Sequence, residues 1–259
     1  VNFLPLALSG VLLLMPAVLA PARADSAGSG AGVQLPPAPL TLTPDSRADA
    51  FQDSVRLYGR RARAGETRAQ YLFGYLYEFG LGVPRDLPLA ARWYSDAAKS
   101  GSRDAQFRLG MLYLMGEGVE RNTRRAAELL EKAAGQGLAA AQLNLGILLD
   151  TDDPGGDPAA AARWYRSAAL QGSPKAQNNL GLLYATGRGV DADVKEGMRW
   201  LGLAARQGSD DGFLNLARIY ADGIGVDQDL VRAYALLLRI PVNATEGDSE
   251  TAALAARVR

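Results

Sequence analysis

The sequence predicts an all-α fold, a solenoid of stacked helical pairs, from three observations. Ala69, Ala105, Ala141, Ala176 and Gly212 open five successive stretches about 36 residues apart, with one stretch shorter by a residue. Gly74, Gly110, Gly146, Gly181 and Ala217 follow those openings, each five residues on. Within a stretch, apolar residues fall at helical spacing twice, with a glycine-rich break between them. A fixed period of this length is the signature of supersecondary units that cannot bury their apolar faces alone and do so by stacking.

Taken in order, the chain begins with an almost continuous apolar run, Phe3 to Ala20, followed by Ala22-Arg23-Ala24. Small residues at those two positions predict a secretory signal peptide over residues 1–24, cut after Ala24. The alternative is an uncleaved anchor, for which the run is short and Pro5 and Pro16 fit poorly. Val1 reads as a GTG start translated literally and points to a bacterial source, so the expected destination is the periplasm or the exterior. Residues 25–45 are rich in Gly, Ser, Pro and Thr around Leu-Pro-Pro-Ala-Pro-Leu and are expected to form a flexible to polyproline-like linker, or, on a sharper reading, a Pro-rich docking peptide. Residues 46–66 look like a lone second helix that caps the first full repeat.

The stretch from Ala105 shows the repeat most fully. Ala105, Leu109, Leu112 and Tyr113 share one helical face. Gly116-Glu117-Gly118-Val119 stops the helix, because its glycines tolerate positive φ. Asn122 then suits an N-cap, as do Asp86, Asp157, Asp193 and Asp229 in the other copies. Ala126, Leu129, Leu130, Ala133 and Ala134 mark the second helix, which Gly137 ends. Gly110 sits inside a helix, where it costs about 1 kcal/mol against Ala. Its recurrence implies that a partner helix approaches closely, and the pairs Ala97-Ala98, Ala133-Ala134, Ala168-Ala169 and Ala204-Ala205 fit the same need. Trp93, Trp164 and Trp200 hold one repeat position and read as core. The third copy replaces Gly-x-Gly-Val with Thr151-Asp152-Asp153-Pro154-Gly155-Gly156, which predicts a local irregularity in the superhelix. The fifth copy loses register after Ile240-Pro241, and residues 241–259 are expected to supply a C-terminal capping helix.

Composition narrows function. The chain has 28 basic and 28 acidic residues, neither Cys nor His. No basic field is available to condense nucleic acid. Thiol nucleophiles, disulfides, Cys/His zinc sites and imidazole relays are excluded. No cofactor, no metal and no membrane contact beyond the leading apolar segment are expected.

The pattern of Ala, Leu-Gly, Tyr, Gly-x-Gly-Val, Asp, Trp-Tyr or Trp-Leu, Ala-Ala and Gln-Gly over residues 67–240 resembles the Sel1-like repeat family, relatives of tetratricopeptide repeats. Leu109-Gly110, Gly80-x-Gly82-Val83, Gly187-x-Gly189-Val190, Gly223-x-Gly225-Val226, Trp164-Tyr165 and Gln171-Gly172 carry the match. The resemblance implies a right-handed α-solenoid whose concave face serves as a scaffold for protein complexes.

Placing the helix glycines where tetratricopeptide repeats have theirs names the groove. It consists of Tyr71, Tyr75, Phe79, Phe107, Met111, Leu114, Met115, Leu143 and Ile147 in the first three copies. In the last two it consists of Asn178, Leu182, Thr186, Leu214, Arg218 and Asp222. The groove is expected to be aromatic and Met-rich at one half and polar at the other, and its apolar half to grip a peptide or helix of another protein. The recurring Gln70, Gln106, Gln142 and Gln177 are expected to bridge adjacent repeats and satisfy loop backbone. The leading reading is a non-enzymatic secreted or periplasmic scaffold. The alternatives are an envelope-modifying hydrolase, for which Asp150, Asp152 and Asp153 form the only tight acidic cluster on the irregular loop, and a component of polysaccharide export machinery.

Overall fold

The computed structural model describes residues 44–151, 155–241 and 249–258, and its regular structure is entirely helical. The helices are α1 (Pro44–Arg63), α2 (Thr67–Phe79), α3 (Leu87–Lys99), α4 (Arg103–Met115), α5 (Thr123–Gly135), α6 (Ala139–Leu149), α7 (Pro158–Leu170), α8 (Pro174–Thr186), α9 (Val194–Arg206), α10 (Asp210–Asp222), α11 (Leu230–Leu237) and α12 (Ser249–Val258). Each packs on its predecessor and its successor in the chain, which gives a right-handed α-solenoid of five helical pairs, α2–α3 to α10–α11. The helix α1 covers α2 at one end, and α12 packs on α11 and α10 at the other.

Caps fix where each helix starts. The side chains of Asp86, Asn122, Asp157, Asp193 and Asp229 each accept the N–H of the residue three positions on, at 2.8–2.9 Å. Each thereby satisfies a donor that the first helical turn leaves orphaned. Ser102, Ser173 and Ser209 do the same for the first helices of their pairs, accepting from Ala105, Ala176 and Gly212.

The two glycines of Gly-x-Gly-Val have different tasks. Gly116 closes α4 in the left-handed region, with φ 72°, and its N–H returns to the Leu112 carbonyl. Gly118 lies against the preceding unit: a Cβ there would stand 2.4 Å from the Leu87 carbonyl carbon. The loop therefore rests on the start of α3, and a side chain would push the two units apart.

The third unit keeps its frame despite its altered loop. The Asp157 N–H donates to the Leu149 carbonyl at 2.9 Å, the same anchor that Asn122 makes to Tyr113 and Asp193 to Tyr184. α6 is two residues shorter than α4, and α7 starts from the usual capped position. The expected irregularity is thus confined to the loop, whose residues 152–154 lie outside the described ones.

The helix glycines do admit a close neighbour, but it is the side chain that follows the Trp position. A Cβ on Gly74 would stand 2.9 Å from the Tyr94 ring, on Gly146 2.5 Å from Tyr165, on Gly181 2.7 Å from Leu201 and on Gly110 3.3 Å from Leu130. The alanine pairs serve another contact. Ala97 and Ala98 pack with Ala105, Ala133 and Ala134 with Ala141, and Ala168 and Ala169 with Ala176. They bring one unit's second helix onto the next unit's first. Trp200 is buried, and Trp93 stacks edge-on against Phe73 with ring centroids 5.2 Å apart, so these indoles belong to the core.

A ladder of amides ties the units together. Gln106, Gln142 and Gln177 are buried, and each donates to a carbonyl of the preceding second helix: Ala98, Ala134 and Ala169, at 3.1–3.2 Å. Their Oε1 atoms accept from Gln136, Gln171 and Gln207, each at 2.8 Å. The first rung is incomplete. Ser100 stands where Gln136 stands one unit later, and the buried Oε1 of Gln70 has no hydrogen-bond partner among the described residues.

Candidate functional site

The helices α2 and α4 position most of the predicted groove. Tyr71, Tyr75 and Phe79 follow one another at four-residue steps, so they form a row along one face of α2. Ring centroids are 6.5 Å apart for Tyr71 and Tyr75 and 4.5 Å apart for Tyr75 and Phe79. Tyr71 leans on the Tyr94 ring at 5.8 Å. Phe79 and Met115, which end their helices, are the most open, at 37% and 36% exposure.

Met111 is a correction. It is only 4% exposed and packs with Leu130, Ala133, Ala134 and Leu145, so it belongs to the core and presents nothing to a ligand. Burial there follows from the gap beside Gly110, which lets α4 press its middle turn against α5. Phe107 and Leu114 are half-buried against that same cluster. Leu143 and Ile147 are half-buried against the next one, around Tyr165 and Leu180. The structure thus gathers Tyr71, Tyr75 and Phe79 into one row, of which Phe79 is exposed and Tyr71 and Tyr75 are half-buried against the cluster around Tyr94. It leaves Met115 exposed and sets Phe107, Leu114, Leu143 and Ile147 at two further core margins.

In the polar half the bonds run within the chain, although Thr186 and Asp222 stay exposed. Asn215 donates to Asn178 at 2.9 Å, both of them buried, Thr186 donates to the Leu182 carbonyl, and Asp222 pairs with Arg257 of α12. Arg218 is also buried.

Sequence reasoning missed two charged clusters, one beside the row and one two units on. Arg108 of α4 reaches back across the unit boundary. Its guanidinium stands 5.6 Å from the Tyr75 centroid and 5.4 Å from that of Phe79, and it pairs with Glu78 at 3.5 Å. The Glu78 carboxylate also accepts from the Tyr94 hydroxyl at 2.5 Å. Two units on, Asp150 repeats the arrangement, accepting from the Tyr165 hydroxyl at 3.3 Å and pairing with Arg188 at 2.7 Å. Burial, then the neighbouring carboxylate, holds both hydroxyls above the usual tyrosine range. For Arg108, burial works against the charge, and Glu78 with the neighbouring tyrosines outweighs it, so the guanidinium stays firmly protonated. A signal for these clusters exists in the sequence. Glu78 and Asp150 share one repeat position, and the copies that carry an acid there are those in which Tyr94 or Tyr165 follows the Trp. In the second and fourth copies the same two positions hold Leu114 with Leu130 and Ala185 with Leu201.

The chemistry available is that of recognition: open aromatic rings, tyrosine hydroxyls and one fixed cation. Asp150 is held in an ion pair between units, and Asp152 and Asp153 lie outside the described residues. Among the described residues no group of acids is placed to hold a metal ion, and no helix is long and apolar enough to cross a membrane.

Comparison with known proteins agrees with the repeat geometry. Residues 67–102, 103–138, 139–173, 174–209 and 214–239 each match the Sel1 repeat. The chain is similar to a Sel1 repeat protein from Oxalobacter formigenes, with 30% identity and a TM-score of 0.66 over 77% of this chain and 86% of that one. It is also similar to c5321, a protective antigen present in uropathogenic Escherichia coli strains that displays an SLR fold, with 26% identity and a TM-score of 0.53 over 80% of this chain and 52% of that one. No curated protein matches it. Sel1 repeat proteins are typically non-catalytic and generally mediate protein–protein interaction. Five matched units in register with the helix pairs, the loop glycines and the amide ladder establish that the chain belongs to the Sel1 repeat family.

Proposed function

We propose that the chain is an exported scaffold that holds another protein or peptide on the face formed by its first helices, at the N-terminal half. The observation that carries this reading is the contrast between the two halves. Phe79 and Met115 leave aromatic and thioether surface exposed, with Tyr71 and Tyr75 half-buried beside them, while at the other end Asn178, Asn215 and Arg218 are buried and the exposed Thr186 and Asp222 are bonded within the chain. Large amphipathic side chains that lose little entropy on contact are the usual anchors of a protein interface. Export is supported by the apolar run Phe3 to Ala20 with Ala22-Arg23-Ala24 behind it, and by the likeness to a protective antigen with the same fold. On this reading the working place is the periplasm or the cell exterior, within an envelope assembly.

The test is capture of a partner from envelope extract by the chain from Asp25 to Arg259. The native surface retains a discrete protein, and the Phe79→Glu/Met115→Glu variant loses it while its far-UV circular dichroism stays unchanged. Retention of the same protein by the variant would place the binding face elsewhere.

A further inference from the structure

The aromatic row lies close to where the preceding part of the chain enters the fold. A Cβ on Gly82, three residues past Phe79, would stand 2.7 Å from the backbone of Phe51, so α1 passes beside the end of the row. Pro44, where α1 begins, is seven residues from Phe51, about 10 Å at 1.5 Å per helical residue. Pro44 therefore stands within about 25 Å of Phe79, allowing about 3.5 Å for each residue of the path. Nine residues, the number from Leu35 to Thr43, would span about 28 Å in polyproline II geometry.

That stretch contains Leu35-Pro36-Pro37-Ala38-Pro39-Leu40. Polyproline II has three residues per turn, so Pro36 aligns with Pro39 and Pro37 with Leu40, on two adjoining edges. One turn advances about 9 Å, so Pro36 and Pro39 fit within the about 12 Å that α2 rises from Tyr71 to Phe79. Aromatic-lined grooves take such segments because the helix is already extended and loses little entropy on docking. Proline also leaves strong carbonyl acceptors without competing N–H groups. Beside the row stands the guanidinium of Arg108, over Tyr75 and Phe79, and although it pairs with Glu78 and bonds Tyr71, its five N–H groups leave donors for such a carbonyl.

We infer that residues 35–40 of the chain dock on the Tyr71–Tyr75–Phe79 row, with Pro39 towards Phe79 and Pro36 towards Tyr71, and that a partner must displace them. This inference rests on the reading of the row as the binding face. The tether holds the segment at an effective concentration in the millimolar range, so even a weak contact keeps the row largely occupied. The tail then acts as a built-in competitor that raises the threshold for partner capture.

The experiment follows the aromatic ring signals of Tyr71, Tyr75 and Phe79 by NMR in the chain from Asp25 to Arg259. They are compared with the same chain carrying Pro36→Asp, Pro37→Asp and Pro39→Asp. A synthetic peptide of residues 33–42 is then titrated into both. The proposal expects ring signals that differ between the two chains. The peptide should move the variant's signals back towards the native positions and bind the native chain about fivefold more weakly or worse. Phe79→Glu in the tail variant should abolish the peptide effect. Identical ring signals in the two chains, or peptide binding that is unchanged by Phe79→Glu, would overturn the docking. Partner capture that depends on Phe79 and Met115 equally with and without the prolines would overturn the tail's role and leave the binding face standing.

Discussion

Gly146 of α6 lies so close to Tyr165 of α7 that a Cβ on it would stand 2.5 Å from the ring. The glycine is therefore a packing residue, and its helix cost of about 1 kcal/mol against Ala is the condition for seating the tyrosine. Gly146→Ala should lower stability by about 1–3 kcal/mol in urea unfolding, although Ala is the better helix former. Gly110→Ala meets the Leu130 side chain at 3.3 Å and the Ala126 carbonyl at 3.4 Å, both wider than the Gly146 contact, and should change stability by less than about 1 kcal/mol. Adding Tyr165→Leu to Gly146→Ala should recover part of the loss, a coupling that a double-mutant cycle reads directly. Equal effects at the two glycines would refute the contact as the cause.

The first rung of the amide ladder can be completed. Ser100 and Gln136 cap their helices with nearly the same backbone, φ −82° with ψ 10° and φ −82° with ψ 8°. A glutamine at 100 would therefore reach the buried Oε1 of Gln70 as Gln136 reaches Gln106. Ser100→Gln should stabilise the chain by about 1 kcal/mol, and Gln136→Ser should destabilise it by a similar amount. Melting curves of the two variants moving in the same direction would contradict the ladder.

Alkaline pH should loosen the solenoid through Tyr94 and Tyr165. Burial first, and then Glu78 and Asp150, raise both hydroxyls above their unfolded value of about 10. The folded chain thus keeps protons that the unfolded chain releases. This contribution is fully present below about pH 10 and is lost as pH climbs from there towards the folded values, by up to about 1.4 kcal/mol per pH unit for each group. Melting temperature should fall between about pH 9.5 and 11.5, and the Tyr94→Phe/Tyr165→Phe variant should fall less steeply. Parallel curves would show that other groups govern the transition.

Two methionines of α4 separate core from surface. Met111→Ala should cost about 2–5 kcal/mol, because it empties a filled site beside Leu130. Met115→Ala should stay within about 0.5 kcal/mol and should act on partner capture instead. A large stability loss at Met115 would remove it from the candidate surface.

Period, loop glycines and N-caps were legible because each is a local rule applied repeatedly, the glycine pair in four copies and the cap in five, and Asp86, Asn122, Asp157, Asp193 and Asp229 all cap as their residue type requires. The resemblance implied the handedness of the stack and named groove positions, of which Met111 is core. Apart from the glutamine ladder, which recurs in register, what could not be read is what depends on two units at once. Gly118 looks like a turn glycine, and only the approach of Leu87 shows its second task. Arg108 and Arg188 belong to the units after the carboxylates they pair with, so no rule within one repeat joins them. Met111 and Met115 are alike in chemistry and differ in position along α4, which decides that one meets Leu130 and the other meets solvent.

The binding face itself is tested most directly by placing a photo-crosslinking phenylalanine analogue at Phe79, or at Arg166 on the exposed side of α7, and irradiating intact cells that make each chain. The account predicts one discrete crosslinked protein from position 79 and none from position 166. Crosslinks of the same protein from both positions, or from position 166 alone, would contradict it.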